Sequence, residues 1–176
     1  MSVRIFNLNI PKNTNLQVIE LLANHHWFKG FDNQQHRLDD LSQGIHRGFT
    51  VETYHCRDPH NQDKNSPLNL FANLIYQMTL KHLKINGVLN RFFWNLYVPG
   101  DTTDLHKDMD NSNFYSIIYN LHTTDGFTLI DGQKYEDLES HVKVFNSNLL
   151  HKGYAPKNSK FRMNLNIVFE PTDPVR

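Results

Sequence analysis

The sequence predicts a mainly β protein with supporting helices, folded as a double-stranded β-helix or jelly roll. The two clearest helical patterns lie before residue 91, and short apolar segments follow it. These segments are separated by turn signals, namely Pro99-Gly100, Asp131-Gly132 and residues 157–159. Many short strands after an initial helical part are typical of a jelly roll, whose functional residues lie inside the barrel mouth.

The N-terminal segment predicts an edge strand followed by a short helix. Residues 3–10 alternate loosely between apolar and polar side chains and end at Pro11. A helix is expected from about residue 16 to residue 23, with Asn13 or Asn15 as its N-cap. The buried stripe of this helix is expected to consist of Val18, Ile19 and Leu22. Trp27 and Phe28 are expected to anchor its end in the core.

A long polar stretch, residues 32–67, follows this helix. Residues 48–54 within it have the composition of a strand, and the flanking parts are irregular. Long irregular segments in a compact domain are often lids or binding loops. A plain surface loop is the first interpretation here, and a substrate lid is the alternative.

Ser66 and Pro67 open the clearest helix, which is expected to reach about residue 83. Serine is a favoured N-cap, and proline fits the first helical turn because its missing N–H is not needed there. Apolar residues recur at helical spacing and indicate a helix that braces the outside of a sheet. These residues are Phe71, Leu74, Ile75 and Met78.

Three residues form a candidate metal site: His106, Asp108 and the distant His151. In an extended strand, residues i and i+2 point the same way, so His106 and Asp108 can converge on one ion. Two imidazoles and one carboxylate leave the opposite face of a metal open, as expected of a non-haem Fe(II) oxygenase. Zinc accepts the same ligands and remains the chemical alternative.

Residues 161–169 predict a strand with one polar and one apolar wall. Arg162, Asn164 and Asn166 share the polar wall. A permanently charged arginine on an inner wall is costly unless it meets an anion. A dicarboxylate cosubstrate would supply that anion, because a guanidinium can hold a carboxylate through two parallel hydrogen bonds.

Residues 91–170 resemble the Fe(II)- and 2-oxoglutarate-dependent dioxygenase superfamily, and within it the prolyl-4-hydroxylase-like branch. The resemblance rests on short motifs in the same order along the chain. They are Tyr97 and Gly100 before the His106 and Asp108 pair, the tyrosine-bearing segment 117–121, Gly126 with Thr128, His151 with Gly153, and Arg162.

The resemblance implies a single 2-oxoglutarate/Fe(II) dioxygenase domain over residues 1–176. Residues 1–90 would supply helical support and candidate substrate loops, and residues 91–170 the jelly-roll core with the metal site. His106, Asp108 and His151 would be the catalytic Fe(II) ligands. Cosubstrate-binding residues would be Arg162, for the distal carboxylate of 2-oxoglutarate, with Tyr97, Thr128 and Asn164 lining the pocket.

By the same resemblance, the reaction would use O2, release succinate and CO2, and hydroxylate an unactivated C–H bond. The carboxylate of Asp108 favours hydroxylation over halogenation. A peptidyl residue such as proline is the favoured substrate, with small molecules as the alternative; collagen-like substrates are disfavoured because collagen-type relatives usually carry lysine in place of Arg162. A catalytically silent jelly-roll binding module is the rival interpretation.

The composition limits the partners and the compartment that we expect. The 176 residues contain 18 Lys and Arg and 18 Asp and Glu, so the formal net charge is zero. That balance argues against general electrostatic binding to nucleic acid or to an anionic membrane. Cys56 is the only cysteine, which excludes an internal disulfide. With no apolar segment typical of a leader or a membrane span, the sequence predicts a cytoplasmic protein.

Overall fold

The computed structural model describes residues 3–24, 66–101 and 103–173, together with the backbone of residues 28–29 and 49–55. This part of the chain contains two helices and ten strands. The helices are α1 (Lys12–Ala23) and α2 (Pro67–Leu83). The strands are β1 (Arg4–Asn7), β2 (Phe28–Lys29), β3 (Phe49–His55), β4 (Gly87–Tyr97), β5 (Tyr115–Asn120), β6 (Thr124–Ile130), β7 (Gln133–Asp137), β8 (His141–Asn146), β9 (His151–Tyr154) and β10 (Arg162–Pro171).

The strands form two antiparallel sheets. The larger sheet has seven strands in the order β1-β8-β5-β10-β4-β3-β2, and the smaller sheet has three in the order β7-β6-β9. From β5 onward the chain passes back and forth between the two sheets, which is the winding of a double-stranded β-helix. The predicted fold class is therefore confirmed.

Helix α1 begins earlier than the sequence predicts. It starts at Lys12, directly after Pro11, and no side chain caps its N-terminus. Asn15, a candidate N-cap in the prediction, lies inside the helix and is fully buried. Its Oδ1 accepts a hydrogen bond from Tyr119 Oη at 2.6 Å, and its Nδ2 donates to Ser140 Oγ at 3.1 Å. The asparagine thus attaches α1 to the larger sheet instead of capping it.

Helix α2 has the predicted start, because Ser66 Oγ accepts a hydrogen bond from the backbone N–H of Asn69 at 3.3 Å. Phe71 and Ile75 are buried as expected, whereas Leu74 is 48% exposed. The buried face of α2 also includes Leu68, Ala72, Tyr76, Thr79 and Leu80, so it is rotated away from Leu74. This face packs against the larger sheet, as the ring of Phe71 against Trp94 illustrates.

Strand β10 lies at the centre of the larger sheet, between β5 and β4. Its odd-numbered residues from 163 to 169 join the hydrophobic core beneath the helices. Arg162, Asn164 and Asn166 point the other way and line a cavity between the sheets. The predicted polar and apolar walls are both present, and residues 162–169 are all buried because each wall is covered.

Two other predictions about the N-terminal half are met. Strand β1 lies at the edge of its sheet and pairs with β8, and β3 occupies nearly the segment predicted as a strand. Trp27, the Phe28 side chain and most of residues 32–67, where a substrate lid was the alternative, lie outside the described residues. Neither described helix is long and apolar enough to cross a membrane.

Candidate metal centre and cosubstrate pocket

All the predicted site residues except Asp108 line one cavity between the two sheets. It encloses about 330 Å³, counting its open mouth. His106 and His151 line it together with Tyr97, Thr128, Arg162 and Asn164. Strands β4, β6, β9 and β10, with the segment between β4 and β5 that carries His106, therefore bring these residues to the same space.

A backbone bridge holds the two histidines side by side. His106 N donates to His151 O at 3.0 Å, and His151 N donates to His106 O at 2.8 Å. The ring centroids are 4.4 Å apart. The strand expected to carry both His106 and Asp108 is reduced to this single bridge, and the chain bends at Asp108. The N–H of Asp108 instead donates to Ser147 O at 3.0 Å, so the bend delivers the carboxylate to the histidines.

Hydrogen bonds to backbone carbonyls select the tautomer of both rings. His106 Nδ1 lies 2.8 Å from Asp104 O, and His151 Nδ1 lies 3.0 Å from Leu149 O. A ring nitrogen that faces a carbonyl oxygen must carry the proton, so the lone pair is on Nε2 in both residues. Metal-binding histidines are commonly oriented in this way.

Two neutral donors and one cation contact the carboxylate of Asp108. Its Oδ2 accepts hydrogen bonds from Ser116 Oγ at 2.6 Å and from Asn166 Nδ2 at 3.1 Å. Its Oδ1 faces Arg91 Nη2 at 3.4 Å. Burial alone would raise the pKa of Asp108, but the charged and hydrogen-bonding groups around it, Arg91 and Ser116 among them, outweigh burial and lower it. The carboxylate is therefore ionised, as a metal ligand must be.

The triad fits a metal ion. One ligand atom from each of His106, Asp108 and His151 lies within 4.8 Å of the other two. His151 Nε2 is buried, lies 3.5 Å from Asp108 Oδ2 and has no hydrogen-bond partner among the residues that the structure describes. Burial also lowers the pKa of His151, which keeps the ring neutral and its lone pair available. A buried, unpartnered acceptor beside a carboxylate is explained by a cation that both would bind.

Arg162 already has a carboxylate partner within the protein, which the sequence did not predict. Its Nε donates to Asp137 Oδ2, and its Nη2 donates to Thr128 Oγ1 at 2.9 Å. Lys143 Nζ donates to the other oxygen of Asp137 at 2.6 Å. The inference that Arg162 must find its anion in a ligand was therefore incomplete, because Asp137 supplies one.

The remaining candidate cosubstrate residues surround the guanidinium. Its carbon lies 4.9 Å from the centre of the Tyr97 ring. In the amide orientation that satisfies its neighbours, Asn164 Oδ1 accepts from Arg162 Nη1 at 3.1 Å. A Cβ added to Gly153 would lie 2.8 Å from Arg162 Nη1, so the absence of a side chain there makes room for the guanidinium.

Sequence reasoning missed the polar residues that support these side chains. Lys143 lies between two valines in β8, so an inward-facing lysine was visible as a break in an apolar run. Asp137 ends β7 next to a turn, where a carboxylate ordinarily faces solvent. Ser116 and Arg91 gave no local signal, because their partner Asp108 is distant in the sequence.

The sequence matches no protein-family model and no curated protein sequence. Solved structures do match. HygX from Streptomyces hygroscopicus, with nickel and 2-oxoglutarate bound, superposes with a TM-score of 0.67 at 10% identity, over 97% of this chain and 83% of that chain. The non-haem α-ketoglutarate-dependent carbocyclase SnoK from nogalamycin biosynthesis gives 0.66 at 10% identity, over 96% and 79%.

A Pseudomonas putida prolyl-4-hydroxylase gives a TM-score of 0.62 at 14% identity, over 96% of this chain and 92% of that chain. At these identities the matches establish the fold. The protein therefore has the double-stranded β-helix fold of the Fe(II)- and 2-oxoglutarate-dependent oxygenases, with a His-Asp-His triad in its cavity.

Proposed function

We propose that the protein is an Fe(II)- and 2-oxoglutarate-dependent dioxygenase that hydroxylates an unactivated C–H bond. The observation that carries this proposal is the unpartnered Nε2 of His151, which lies beside the Asp108 carboxylate in a cavity that Arg162 also lines. A metal site and a guanidinium in one cavity suit a ligand that chelates a metal at one end and presents a carboxylate at the other.

Each residue has a defined task in this proposal. His106, Asp108 and His151 hold the ion, and Ser116 and Asn166 fix the carboxylate of Asp108. When bound, Fe(II) with 2-oxoglutarate and O2 supplies the oxidation, which releases succinate and CO2 and places one oxygen atom on the substrate.

The cosubstrate residues orient the other end of the ligand. Arg162 and Thr128 bind the distal carboxylate of 2-oxoglutarate, and Tyr97 packs its ring against the guanidinium. Burial in this pocket excludes water from the ion pair that forms, which strengthens the attraction between the charges. The protein's contribution is placement of the cosubstrate relative to the substrate.

A peptidyl residue such as proline is our first substrate class, and a small molecule is the second. The prolyl-4-hydroxylase match supports the first class. The second is supported by SnoK, from nogalamycin biosynthesis, and by a HygX structure that contains hygromycin B. A silent binding module is disfavoured, because such a module gains nothing from a buried histidine nitrogen without a partner.

Succinate formation tests the activity without knowledge of the substrate. The purified protein would be supplied with Fe(II), ascorbate, O2 and 2-oxoglutarate, and succinate would be measured alone and with peptide or small-molecule panels. We expect slow succinate release alone and faster release with a substrate. Absence of succinate from Fe(II)-loaded protein under every condition, with zinc retained in preference to iron, would contradict the proposal.

A further inference from the structure

Asp137, Lys143 and Arg162 form a buried cluster with more positive than negative groups. The residues are 1%, 0% and 2% exposed, respectively. Asp137 contacts both cations, through Oδ2 to Arg162 and through Oδ1 to Lys143. Among the residues that the structure describes, no second carboxylate pairs with either cation. Burial lowers the pKa of Lys143, and the Asp137 carboxylate opposes that shift. With Lys143 protonated, the two cations and one anion carry a net charge of +1 away from water.

In the absence of a ligand, this excess positive charge destabilises the folded protein. The Arg162 and Asp137 pair would be neutral without Lys143, and a buried neutral pair is easier to accommodate than a buried net charge. An apolar side chain in place of Lys143 would complete a buried apolar run in β8, where Val142, Val144 and Phe145 are also buried. The net charge of the cluster is therefore balanced only when one further negatively charged group binds next to it.

The geometry shows where that charge can enter. Asp137 occupies the Nε side of the guanidinium and Lys143 lies behind Asp137, outside the residues that line the cavity. The Nη1 side of Arg162 faces the cavity, next to Asn164 and Gly153. Asn120, 1% exposed, closes the rear of the cluster, since in its satisfied orientation it bonds both Asp137 and Lys143.

We propose that Asp137 and Lys143 are positioning residues that prepare Arg162 for a single ligand carboxylate. Asp137 fixes the guanidinium so that its Nη1 side faces the cavity, and Lys143 cancels the charge of Asp137 so that the cluster remains cationic. The pocket then selects a 2-oxo acid with one distal carboxylate over an uncharged analogue of equal length. This inference rests on the proposed function, because it assigns the carboxylate to 2-oxoglutarate.

The test compares two ligands on the Mn(II)-loaded protein by isothermal titration calorimetry. 2-Oxoglutarate carries the distal carboxylate, whereas 2-oxopentanoate has the same chain length and the same chelating head but ends in a methyl group. The ratio of the two dissociation constants reports the distal contact alone. Mn(II) affinity, measured separately, reports that the triad and the fold are intact.

We expect wild type to prefer 2-oxoglutarate, and Lys143→Met to lower this preference by on the order of tenfold while it leaves Mn(II) affinity unchanged. The double variant with Asp137→Asn and Lys143→Met restores a net charge of +1 and is expected to recover part of the preference. Lys134→Met, at an exposed lysine of β7, is the matched control and should behave as wild type. If Lys143→Met does not bind Mn(II), Lys143→Gln takes its place.

The outcomes separate the two proposals. A wild-type protein without preference for 2-oxoglutarate would overturn the proposed cosubstrate and this inference with it. A wild-type preference that persists in Lys143→Met would overturn the inference and leave the function standing. Loss in Lys143→Met without recovery in the double variant would overturn the charge account.

Discussion

The His106, Asp108 and His151 triad and the Asp137, Lys143 and Arg162 cluster are both largely buried, but they have opposite electrostatic needs. The triad combines one carboxylate, which Arg91 contacts, with two imidazoles, and within the described part of the chain His151 Nε2 has no hydrogen-bond partner. The cluster combines two cations with one carboxylate, and its groups are hydrogen-bonded to one another. The comparison teaches that the cavity is complementary to a cation at one end and to an anion at the other.

The two regions are also built differently. The triad depends on a backbone bridge and a bend, with Ser116, Asn166 and Arg91 in contact with its carboxylate. The cluster draws its side chains from three strands, β7, β8 and β10, that belong to both sheets. We therefore expect substitutions in the triad to remove the metal and leave the fold intact, and substitutions in the cluster to change cosubstrate affinity while the metal stays bound.

Loss of a triad ligand should have the largest effect. Asp108→Ala or His151→Ala removes one of three ligands, so we expect at least a hundredfold loss of metal affinity and no measurable turnover. Metal content and succinate release would be measured together. Asp110→Ala, at an exposed aspartate two residues away, is the control and should retain both. Near-normal turnover in either triad variant would refute the metal assignment.

Removal of the Arg162 guanidinium should weaken 2-oxoglutarate binding and leave metal binding unchanged. We expect Arg162→Ala to raise the 2-oxoglutarate concentration needed for half-maximal succinate release by about tenfold or more, since a charge-assisted contact is lost. Lys160→Ala removes an exposed cation two residues away and serves as the control. An unchanged requirement in Arg162→Ala would mean that another residue anchors the cosubstrate.

Gly153→Ala should also weaken 2-oxoglutarate binding, but by less than Arg162→Ala. The Cβ of Gly153→Ala would lie 2.8 Å from Arg162 Nη1 and 3.2 Å from Tyr97 Oη. Asp137 and Thr128 hold the guanidinium on its other sides, so it cannot move away without loss of hydrogen bonds. We expect weaker 2-oxoglutarate binding by calorimetry with unchanged Mn(II) affinity. A loss of Mn(II) affinity instead would show that the two regions are not independent.

The smallest effect should come from the hydrogen bond behind the metal ligand. Ser116→Ala removes the 2.6 Å contact to Asp108 Oδ2, and we expect metal affinity to fall by about tenfold. Ser147→Ala is the matched comparison, because its hydroxyl contacts Ser116 and not Asp108. Equal metal affinity in the two variants would show that Ser116 does not support the carboxylate.

Local patterns were sufficient to predict the fold and to select the three residues that the structure brings together as a candidate metal site. Ser66 and Pro67 mark a helix start by short-range chemistry, and the alternation along β10 assigns Arg162 and Asn164 to one wall. The histidines and Asp108 form a motif that is readable in order along the chain. Such features depend on neighbours in sequence, which a single sequence contains.

The features that the sequence did not reveal depend on distant partners. Asn15 has the side chain of a helix cap, but Tyr119 and Ser140 recruit the same amide for a tertiary contact. Asp137 lies 25 residues before its partner Arg162, and nothing local distinguishes it from a surface carboxylate. Pairings of this kind become visible only when the sheet register is known.

The most direct test of the account is an anaerobic titration of the metal-free protein with Fe(II) and then 2-oxoglutarate, followed by visible absorption. Chelation of Fe(II) by 2-oxoglutarate gives a weak charge-transfer band. We predict that the band appears in wild type, needs a higher 2-oxoglutarate concentration in Arg162→Ala, and is absent in His151→Ala. Fe(II) binding to wild type without any band on addition of 2-oxoglutarate would contradict the claim that the two clusters bind one ligand.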